Sequence, residues 1–474
     1  MGGRQHLVVV IPGIGGSVLA RPRDGKVVWD AGFGDIADLL LRPGRMSLDD
    51  NPHLEPRGMI RSKRLVPGWT VIDGYERLWN QLAALPDVTA DDGTGGRVPG
   101  ANLVAFGYDF RRSIVEAAGL LAQEVDARLA DLGAIGDDGD PRVIVVAHSM
   151  GGLVARYWLG PGKGWPKCRA LITLGTPHRG APKALDVLVH GVRLRGVELT
   201  RPSELLRDWD ATYQLLPRYP CIWDATDATA KRPHEVGGRA LARRARDAFA
   251  LHEDIATAWN GIPRSGTKMV VRLGYSHPTI ASATWDGQTL STSKEPPSWL
   301  PLGDWHADFG DGTVPAFSAV PLELDDDSTA GLRVVEKHGR IGSLAEVVDL
   351  IEGFEGRPSL RPARGDERDV AIGLDLDELQ PAGSPVPLQV RIHGVSSGLA
   401  AVALVRVTVR RPGKPKRLAR FPLVWDGSAE RFVGELPAQP PGMYDVAVDA
   451  LAVPDGGDLH VVDTIAVVDA NDLA

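Results

Sequence analysis

The stretch that decides the fold is Arg142-Val-Ile-Val-Val-Ala-His148-Ser149-Met150-Gly151-Gly152-Leu-Val-Ala-Arg156-Tyr157-Trp158. Its apolar first part predicts a strand that runs into a tight turn at Ser149 and then into a helix. This order of elements is typical of a nucleophile elbow, in which a strained turn exposes a serine hydroxyl. Ala147 and Gly151 supply the small residues that the close approach of strand and helix requires. We therefore predict that Ser149 is a nucleophile.

A second apolar strand followed by a glycine-rich loop lies near the amino terminus, in His6-Leu-Val-Val-Val-Ile11-Pro12-Gly13-Ile14-Gly15-Gly16-Ser17. Such a loop can present a free backbone N–H to the oxyanion that forms during acyl transfer. We predict that the N–H groups of Ile14 and Met150 form this pair. A dinucleotide-binding loop is the alternative, but Val18 stands where its third glycine would be.

A nucleophilic serine needs a histidine base and an orienting carboxylate, which follow the serine in the order acid, then base, in this fold. His338 follows a short apolar run and precedes a predicted helix over residues 343–354, so it fits the base. Asp311 lies in an Asp-Gly turn upstream and is the predicted acid. Asp308, in the same loop, remains the alternative acid.

Six short motifs, taken in order, resemble the lecithin:cholesterol acyltransferase family, which also includes lysosomal phospholipases. They are Val9-Val10-Ile11-Pro12-Gly13-Ile14-Gly15-Gly16-Ser17, Phe106-Gly107-Tyr108-Asp109-Phe110-Arg111, Ala147-His148-Ser149-Met150-Gly151-Gly152, Leu174-Gly175-Thr176-Pro177, Gly310-Asp311-Gly312-Thr313-Val314-Pro315 and His338. The resemblance spans residues 7–354. It departs from the family at Phe110, where the family has Trp, and in lacking a counterpart to the lid disulfide of secreted members.

The resemblance implies an α/β-hydrolase core with Ser149 as nucleophile, Asp311 as acid, His338 as base, and Ile14 and Met150 as oxyanion donors. It also implies a lid after the first loop and a cap after the fourth motif. The expected substrate-binding positions are Gly13, Gly15, Tyr108, Asp109 and His148. For Asp109 a structural ion pair with Arg111 is the favoured alternative.

Length and composition limit the class of protein. A chain of 474 residues can bury a large core and exceeds one ordinary domain. Its net charge of -8, with both signs interspersed, disfavours a nucleic-acid partner. Two cysteines are too few for a disulfide framework, and neither a signal-peptide pattern nor an 18-residue apolar stretch is apparent. We expect a cytoplasmic protein that needs no metal and no organic cofactor.

The sequence predicts two domains. Residues 1–360 form an α/β-hydrolase domain with a mostly parallel central sheet, a lid at about 29–69 and a cap at about 193–261. A linker rich in Pro, Gly and charge then leads to residues 361–474, where alternating strands predict an immunoglobulin-like β-sandwich. Since the linker follows His338, a chain ending near Pro362 is expected to keep its activity.

Together these patterns predict a serine-dependent lipase, phospholipase or acyltransferase that acts on lipid-like esters. The expected partners are a lipid or other ester substrate, a membrane surface in transient contact, and an unknown protein bound by the β-sandwich. The alternative is a catalytically idle hydrolase fold that serves as a scaffold for that sandwich.

Overall fold

The centre of the fold is a seven-stranded sheet in which every neighbouring pair is parallel. The structure is a computed structural model, and it describes residues 6–30, 43–66, 68–133, 142–263, 266–303, 309–324, 333–356 and 370–469. In spatial order the strands are Arg333–Val334, Lys268–Gly274, Cys168–Leu174, Val143–His148, Leu7–Ile11, Leu103–Ala105 and Ala90–Asp91. The two middle strands are apolar and fully buried, as expected for a sheet covered on both faces.

Helices cover both faces of the sheet. The α-helices of the described residues, whether on this sheet or elsewhere, are Glu76–Ala83, Ile114–Asp131, Met150–Leu159, Pro182–His190, Thr200–Asp208, Asp210–Gln214, Arg239–Asn260, His338–Ile341, Glu346–Phe354 and Ser397–Ala400, with 3-10 turns at Pro43–Met46, Trp165–Lys167, Pro233–Glu235 and Ala316–Ala319. Helix Ile114–Asp131 begins at Ser113, whose side chain accepts a hydrogen bond from Val115 N. Within the described ranges, no helix is long and apolar enough to cross a membrane.

The predicted lid and cap regions hold small sheets around the main sheet, antiparallel except where Ile222–Asp224 pairs in parallel with Ser282–Trp285. Part of the predicted lid, including Leu39 to Leu41, lies outside the described residues. The remaining strands of these regions and of residues 282–293 are Ser17–Ala20, Val27–Trp29, Glu55–Met59, Arg64–Val66, Thr70–Ile72, Arg193–Leu194, Val197–Glu198, Ile222–Asp224, Thr229–Lys231, Ser282–Trp285 and Leu290–Ser293. The cap also contains helix Arg239–Asn260.

Residues 371–468 form two further sheets that enclose a separate hydrophobic core. One consists of Ala371–Asp375, Val386–His393, Arg431–Leu436 and Val424–Asp426, and the other of Leu379–Pro381, Gly457–Val468, Gly442–Val453, Leu404–Arg410 and Arg417–Pro422. The predicted fold class, an α/β-hydrolase fold followed by an all-β part, is confirmed. The linker and the domain boundary at residues 360 and 361 lie outside the described residues.

Candidate active site

Ser149 occupies a strained turn between strand Val143–His148 and helix Met150–Leu159. Its backbone has φ 53° and ψ -126°, a conformation that non-glycine residues rarely adopt. A hydrogen bond from Ser149 N to Leu174 O, at 2.9 Å, fixes the turn to the neighbouring strand. A Cβ on Gly151 would lie 2.5 Å from Pro12 O, so only glycine fits where the helix passes the first loop. The turn thus has the backbone geometry of a nucleophile elbow.

The structure brings Ser149, His338 and Asp311 into one hydrogen-bonded chain. His338 Nε2 lies 2.8 Å from Ser149 Oγ, and His338 Nδ1 lies 2.7 Å from Asp311 Oδ2. Because an ionised carboxylate only accepts, Nδ1 carries the proton and Nε2 is left to accept from the serine hydroxyl. All three residues are buried, with exposed fractions of 6%, 3% and 1%. This arrangement can remove the proton from Ser149 Oγ.

Asp311 is fixed by its own turn and by the backbone of His338. Its Oδ1 accepts from Thr313 N at 2.9 Å and from Val314 N at 2.7 Å, which leaves Oδ2 for the imidazole. In addition, His338 N donates to Asp311 O at 2.9 Å. Two backbone N–H groups on one oxygen and an imidazole on the other hold the carboxylate in a single orientation. The alternative acid, Asp308, lies outside the described residues.

The backbone N–H groups of Ile14 and Met150 are the predicted oxyanion donors. Ile14 lines the cavity that contains Ser149 and His338. Met150 is the first residue of its helix, where a backbone N–H has no acceptor within the helix. Among the described residues, no acceptor is hydrogen-bonded to either N–H. Two free donors beside Ser149 Oγ are what an oxyanion would require.

His148, predicted to contact substrate, links the first loop to His338. Its Nε2 lies 3.0 Å from the carbonyl oxygen of His338, and its Nδ1 lies 2.8 Å from Tyr75 Oη. Burial, reinforced by the neighbouring His338, lowers the pKa of His148 to about 3, so the ring is neutral. Since a carbonyl oxygen only accepts, Nε2 donates and Nδ1 accepts from the Tyr75 hydroxyl. Tyr75 Oη in turn accepts from Gly13 N at 2.9 Å.

Tyr108, Asp109 and Gly15, three further positions predicted to contact substrate, have hydrogen-bond partners within the protein. Tyr108 Oη donates to Pro12 O at 2.9 Å, which fixes the start of the first loop. Asp109 pairs with buried Arg111 at 2.6 Å, the structural ion pair that the sequence left open. Gly15 adopts φ 72°, and its carbonyl accepts from Trp29 Nε1 at 2.8 Å. Gly13 and His148 do line the cavity, whereas these three residues do not.

The cavity over Ser149 is small and mostly apolar. Its volume is about 10 Å³, roughly the space needed to hold one water molecule. Its walls are formed by Gly13, Ile14, Trp69, Thr70, Ile72, His148, Ser149, Pro177, Ala181, Leu215, Thr313, Val314 and His338. A larger cavity of about 400 Å³ lies beside it, shares Trp69 and Thr70 as a wall, and has mainly charged and polar sides. Ser149 lines the small cavity and does not line this larger one.

Sequence patterns did not identify Tyr75 or the wall residue Thr70 as parts of the site. Tyr75 precedes helix Glu76–Ala83, more than 70 residues from its partner His148, and no local motif marks it. In the part of the chain that the structure describes, no cluster of three or more His, Cys, Asp or Glu residues is arranged to hold a metal ion.

Comparisons with known proteins give one family match and several distant structural likenesses. No curated protein sequence matches the chain. Among solved structures, it is similar to the Tle4-Tli4 complex at 15% identity, covering 75% of this chain and 98% of that chain with a TM-score of 0.45. It is similar to the propeptide form of BlEst2, a Bacillus licheniformis lipase, at 11% identity, covering 99% and 96% with a TM-score of 0.35.

A third similarity, to a superoxide reductase (neelaredoxin) from Ignicoccus hospitalis, has 13% identity, covers 21% of this chain and 80% of that chain, and has a TM-score of 0.17. The family model described as lecithin:cholesterol acyltransferase matches residues 78–255, which include the second, third and fourth motifs of the resemblance. Residues 78–255 of this chain are therefore similar to the lecithin:cholesterol acyltransferase family.

Proposed function

We propose that this protein is a serine-dependent lipase, phospholipase or acyltransferase that forms an acyl-enzyme on Ser149. The observation that carries the proposal is the continuous hydrogen-bonded chain from Ser149 Oγ through His338 to Asp311, at a strained turn. The family match supports an ester-acting hydrolase or acyltransferase in general. Beyond this general activity, we propose that Ser149, His338 and Asp311 form the catalytic triad and that the substrate is a lipid-like ester.

In the first half of the reaction, Ser149 Oγ attacks the ester carbonyl carbon while His338 Nε2 takes the hydroxyl proton. Asp311 stabilises the imidazolium that results, because its Oδ2 already accepts from Nδ1. The carbonyl oxygen becomes an oxyanion, which the N–H groups of Ile14 and Met150 stabilise. When the carbon–oxygen bond to the alcohol breaks, His338 returns the proton to the leaving alkoxide, and the acyl group stays on Ser149.

In the second half, a new nucleophile enters on the side that the alcohol left. His338 takes a proton from water or from a second alcohol, whose oxygen attacks the acyl carbon. Collapse of the oxyanion breaks the bond to Ser149 Oγ, which regains its proton from His338. When water is the nucleophile, the product is a free acid and the enzyme acts as a hydrolase. When an alcohol is the nucleophile, the product is a new ester and the enzyme acts as an acyltransferase.

The cavity supports an apolar acyl group and requires movement before one can bind. Its walls carry aliphatic side chains such as Ile72, Leu215 and Val314, but a volume of about 10 Å³ admits no acyl chain. Hydrocarbon surface removed from water contributes about 0.8 kcal/mol per methylene, which can offset the displacement of the wall. We propose that the wall segment containing Trp69 and Thr70 moves when substrate enters.

The test of this function is covalent labelling with a fluorophosphonate probe. The wild-type protein should be labelled, and peptide mass spectrometry should place the label on Ser149, because only an activated serine reacts. Ser149→Ala should remove the label, while Ser428→Ala, a change of an exposed serine far along the chain, should retain it. A folded wild-type protein that takes up no label would favour the idle scaffold instead.

Lipid profiling after incubation with a mixed membrane extract would then identify the substrate. Loss of a lipid ester with wild-type protein, but not with Ser149→Ala, would give the acyl donor and the product class. Transient membrane contact, a protein partner of the C-terminal strands and a cytoplasmic location remain predictions.

A further inference from the structure

A carboxyl group from the C-terminal sheets contacts the wall of the catalytic cavity. Glu378 precedes strand Leu379–Pro381, and its carboxyl oxygens accept hydrogen bonds from Thr70 Oγ1 at 2.9 Å and from Val71 N. Thr70 lines the cavity over Ser149. Glu378 is therefore one residue away from the space in which an ester would bind.

A second carboxyl group from the same sheets contacts the residue before the catalytic histidine. Lys337 Nζ lies 3.1 Å from Asp463 Oδ2, and both side chains are buried, with exposed fractions of 7% and 4%. Lys337 caps helix His338–Ile341, and its carbonyl accepts from Arg340 N and Ile341 N. Fixing the Lys337 side chain thus fixes the start of the short helix that carries His338.

The two contacts come from one edge of the five-stranded sheet. Strand Leu379–Pro381 pairs in parallel with strand Gly457–Val468, and Ala466 N donates to Glu378 O at 2.7 Å. This pairing holds Glu378 and Asp463 in a fixed relation to each other. Lys63 adds a third contact with this sheet, 3.2 Å from Asp445 Oδ1.

The charges in this cluster are balanced near neutral pH. Burial, and then the negative charge of Asp463, raise the pKa of Glu378 to about 8, so its carboxyl is protonated at pH 7. Burial opposes the charge of Lys337, but the attraction of Asp463 outweighs it and raises the pKa of Lys337. The cluster then contains one ammonium, one carboxylate and one neutral carboxyl group. Its two charges offset each other, as buried charges must be paired to be stable.

We propose that Glu378 and Asp463 are positioning residues of the active site, which hold the cavity wall through Thr70 and Val71 and the base His338 through Lys337. Neither side chain touches the ester. The inference rests on the proposed function, since it assigns these residues to the same site. It also reverses the expectation that a chain ending near Pro362 keeps its activity, because such a chain would lack both carboxyl groups.

The proposal is tested by steady-state kinetics of full-length variants on a short soluble ester at pH 7. Glu378→Ala releases the wall and should raise KM by about tenfold, the effect expected for one lost hydrogen-bonding group, with a smaller change in kcat. Glu378→Gln should keep KM within about twofold, because the amide oxygen can accept from Val71 N while the amide NH2 donates to Thr70 Oγ1, whose hydroxyl can turn to accept. Asp463→Asn should instead lower kcat by about tenfold, with a smaller change in KM, because it acts on the base.

The matched control is Asp449→Asn, which removes an exposed carboxylate that pairs with His460 on the same sheet. It should leave both constants unchanged. Thr70→Val removes the other partner of the Glu378 contact, so its effect on KM should not add to that of Glu378→Ala. The double variant Thr70→Val/Glu378→Ala completes this double-mutant cycle. The cycle tests the contact of Glu378 with the cavity wall even if Asp463→Asn does not fold.

Two outcomes separate this inference from the proposed function. If wild-type protein neither hydrolyses esters nor reacts with a fluorophosphonate, the proposed function fails. If wild-type protein is active, but Glu378→Ala and Asp463→Asn match the control, or Thr70→Val and Glu378→Ala act additively, the positioning roles are wrong while the function stands.

Discussion

His148 donates through Nε2 to the backbone carbonyl of His338 at 3.0 Å, so the residue before Ser149 holds the backbone of His338. The same ring accepts from Tyr75, which accepts from Gly13 N. A single chain of hydrogen bonds therefore joins the loop that offers the Ile14 N–H to the residue that offers the imidazole. A substitution at any residue of this hydrogen-bonded chain should therefore affect both the first loop and His338.

Tyr75→Phe removes the central hydroxyl of this chain while keeping the ring. The buried Gly13 N–H then has no acceptor, which should lower the free energy of unfolding by about 1–3 kcal/mol. The loosened loop should also lower kcat by about tenfold, because oxyanion donors act only when held in place. Urea unfolding and ester kinetics measure the two effects.

The control for this change is Tyr157→Phe, because Tyr157 lies on helix Met150–Leu159 and its hydroxyl has no hydrogen-bond partner among the described residues. Equal kinetics in both variants would show that the Tyr75 hydroxyl does not order the loop.

Ser149→Ala and His338→Ala should each lower kcat by about 10⁴ to 10⁶-fold while leaving the thermal unfolding curve nearly unchanged, since triad residues act as a unit. Asp311→Asn should cost about 10³-fold or more, because the amide can no longer fix the Nδ1–H tautomer. Asp308→Asn is the matched comparison. If it is the more damaging change, the acid has been assigned to the wrong residue.

The protonated state of Glu378 predicts how stability depends on pH. The folded protein keeps the Glu378 proton up to about pH 8, whereas the ordinary pKa of 4.5 applies when the chain unfolds. Between these values the folded state binds more protons, so this residue lowers the free energy of unfolding as pH rises. Glu378→Gln removes that contribution. As pH rises, the free energy of unfolding of Glu378→Gln relative to wild type should therefore increase by up to about 1.4 kcal/mol per pH unit.

Urea unfolding at pH 5.5, 6.5 and 7.5 would measure this difference, with the exposed Glu435→Gln as control. Lys337, Asp463 and Asp375 face the same cluster and are present in every variant. Parallel pH curves for wild type and Glu378→Gln would mean that Glu378 is ionised in the folded protein throughout this range.

Acyl chain length should separate a lipid-like substrate from a small one. Each methylene that enters the apolar cavity contributes about 0.8 kcal/mol, so kcat/KM should rise about threefold to fourfold per methylene until the cavity is filled. A series of p-nitrophenyl esters from acetyl to long chains measures this dependence. A steady fall from acetyl onwards would contradict the lipid-like acyl group.

Added alcohol tests transfer against hydrolysis. If an alcohol competes with water for the acyl-enzyme on Ser149, mass spectrometry should find a new ester whose share rises with alcohol concentration. Free acid alone at every concentration would identify a hydrolase. Neither result bears on the identity of the triad, since both products come from the same acyl-enzyme.

Local patterns were sufficient for the elements that carry the triad. The run of Val and Ile before Ser149 is too apolar for anything but a buried strand, and the glycines after it permit the close crossing seen at Gly151. The order of acid and base narrowed twelve histidines to His338, which the structure brings within 2.8 Å of Ser149 Oγ. These features depend on neighbours in sequence or on a fixed topology.

Contacts between distant segments could not be predicted in the same way. Tyr75 meets His148 across 73 residues, and Glu378 meets Thr70 across 308 residues, with no periodicity or motif to link them. The C-terminal strands were recognisable from their alternation, but alternation gives the faces of a strand and not its neighbours. Their role beside the site depends on tertiary packing alone.

The contact between Gly13 and Ser149 limits how this site can be redesigned. A Cβ on Gly13 would lie 2.7 Å from the Cβ of Ser149, so no side chain can be introduced beneath the nucleophile without displacing it. Variants with new substrate preferences must therefore arise elsewhere on the cavity wall, at positions such as Ile72 and Leu215. Mutational libraries that spare the glycine loop and vary those positions would retain the largest fraction of active members.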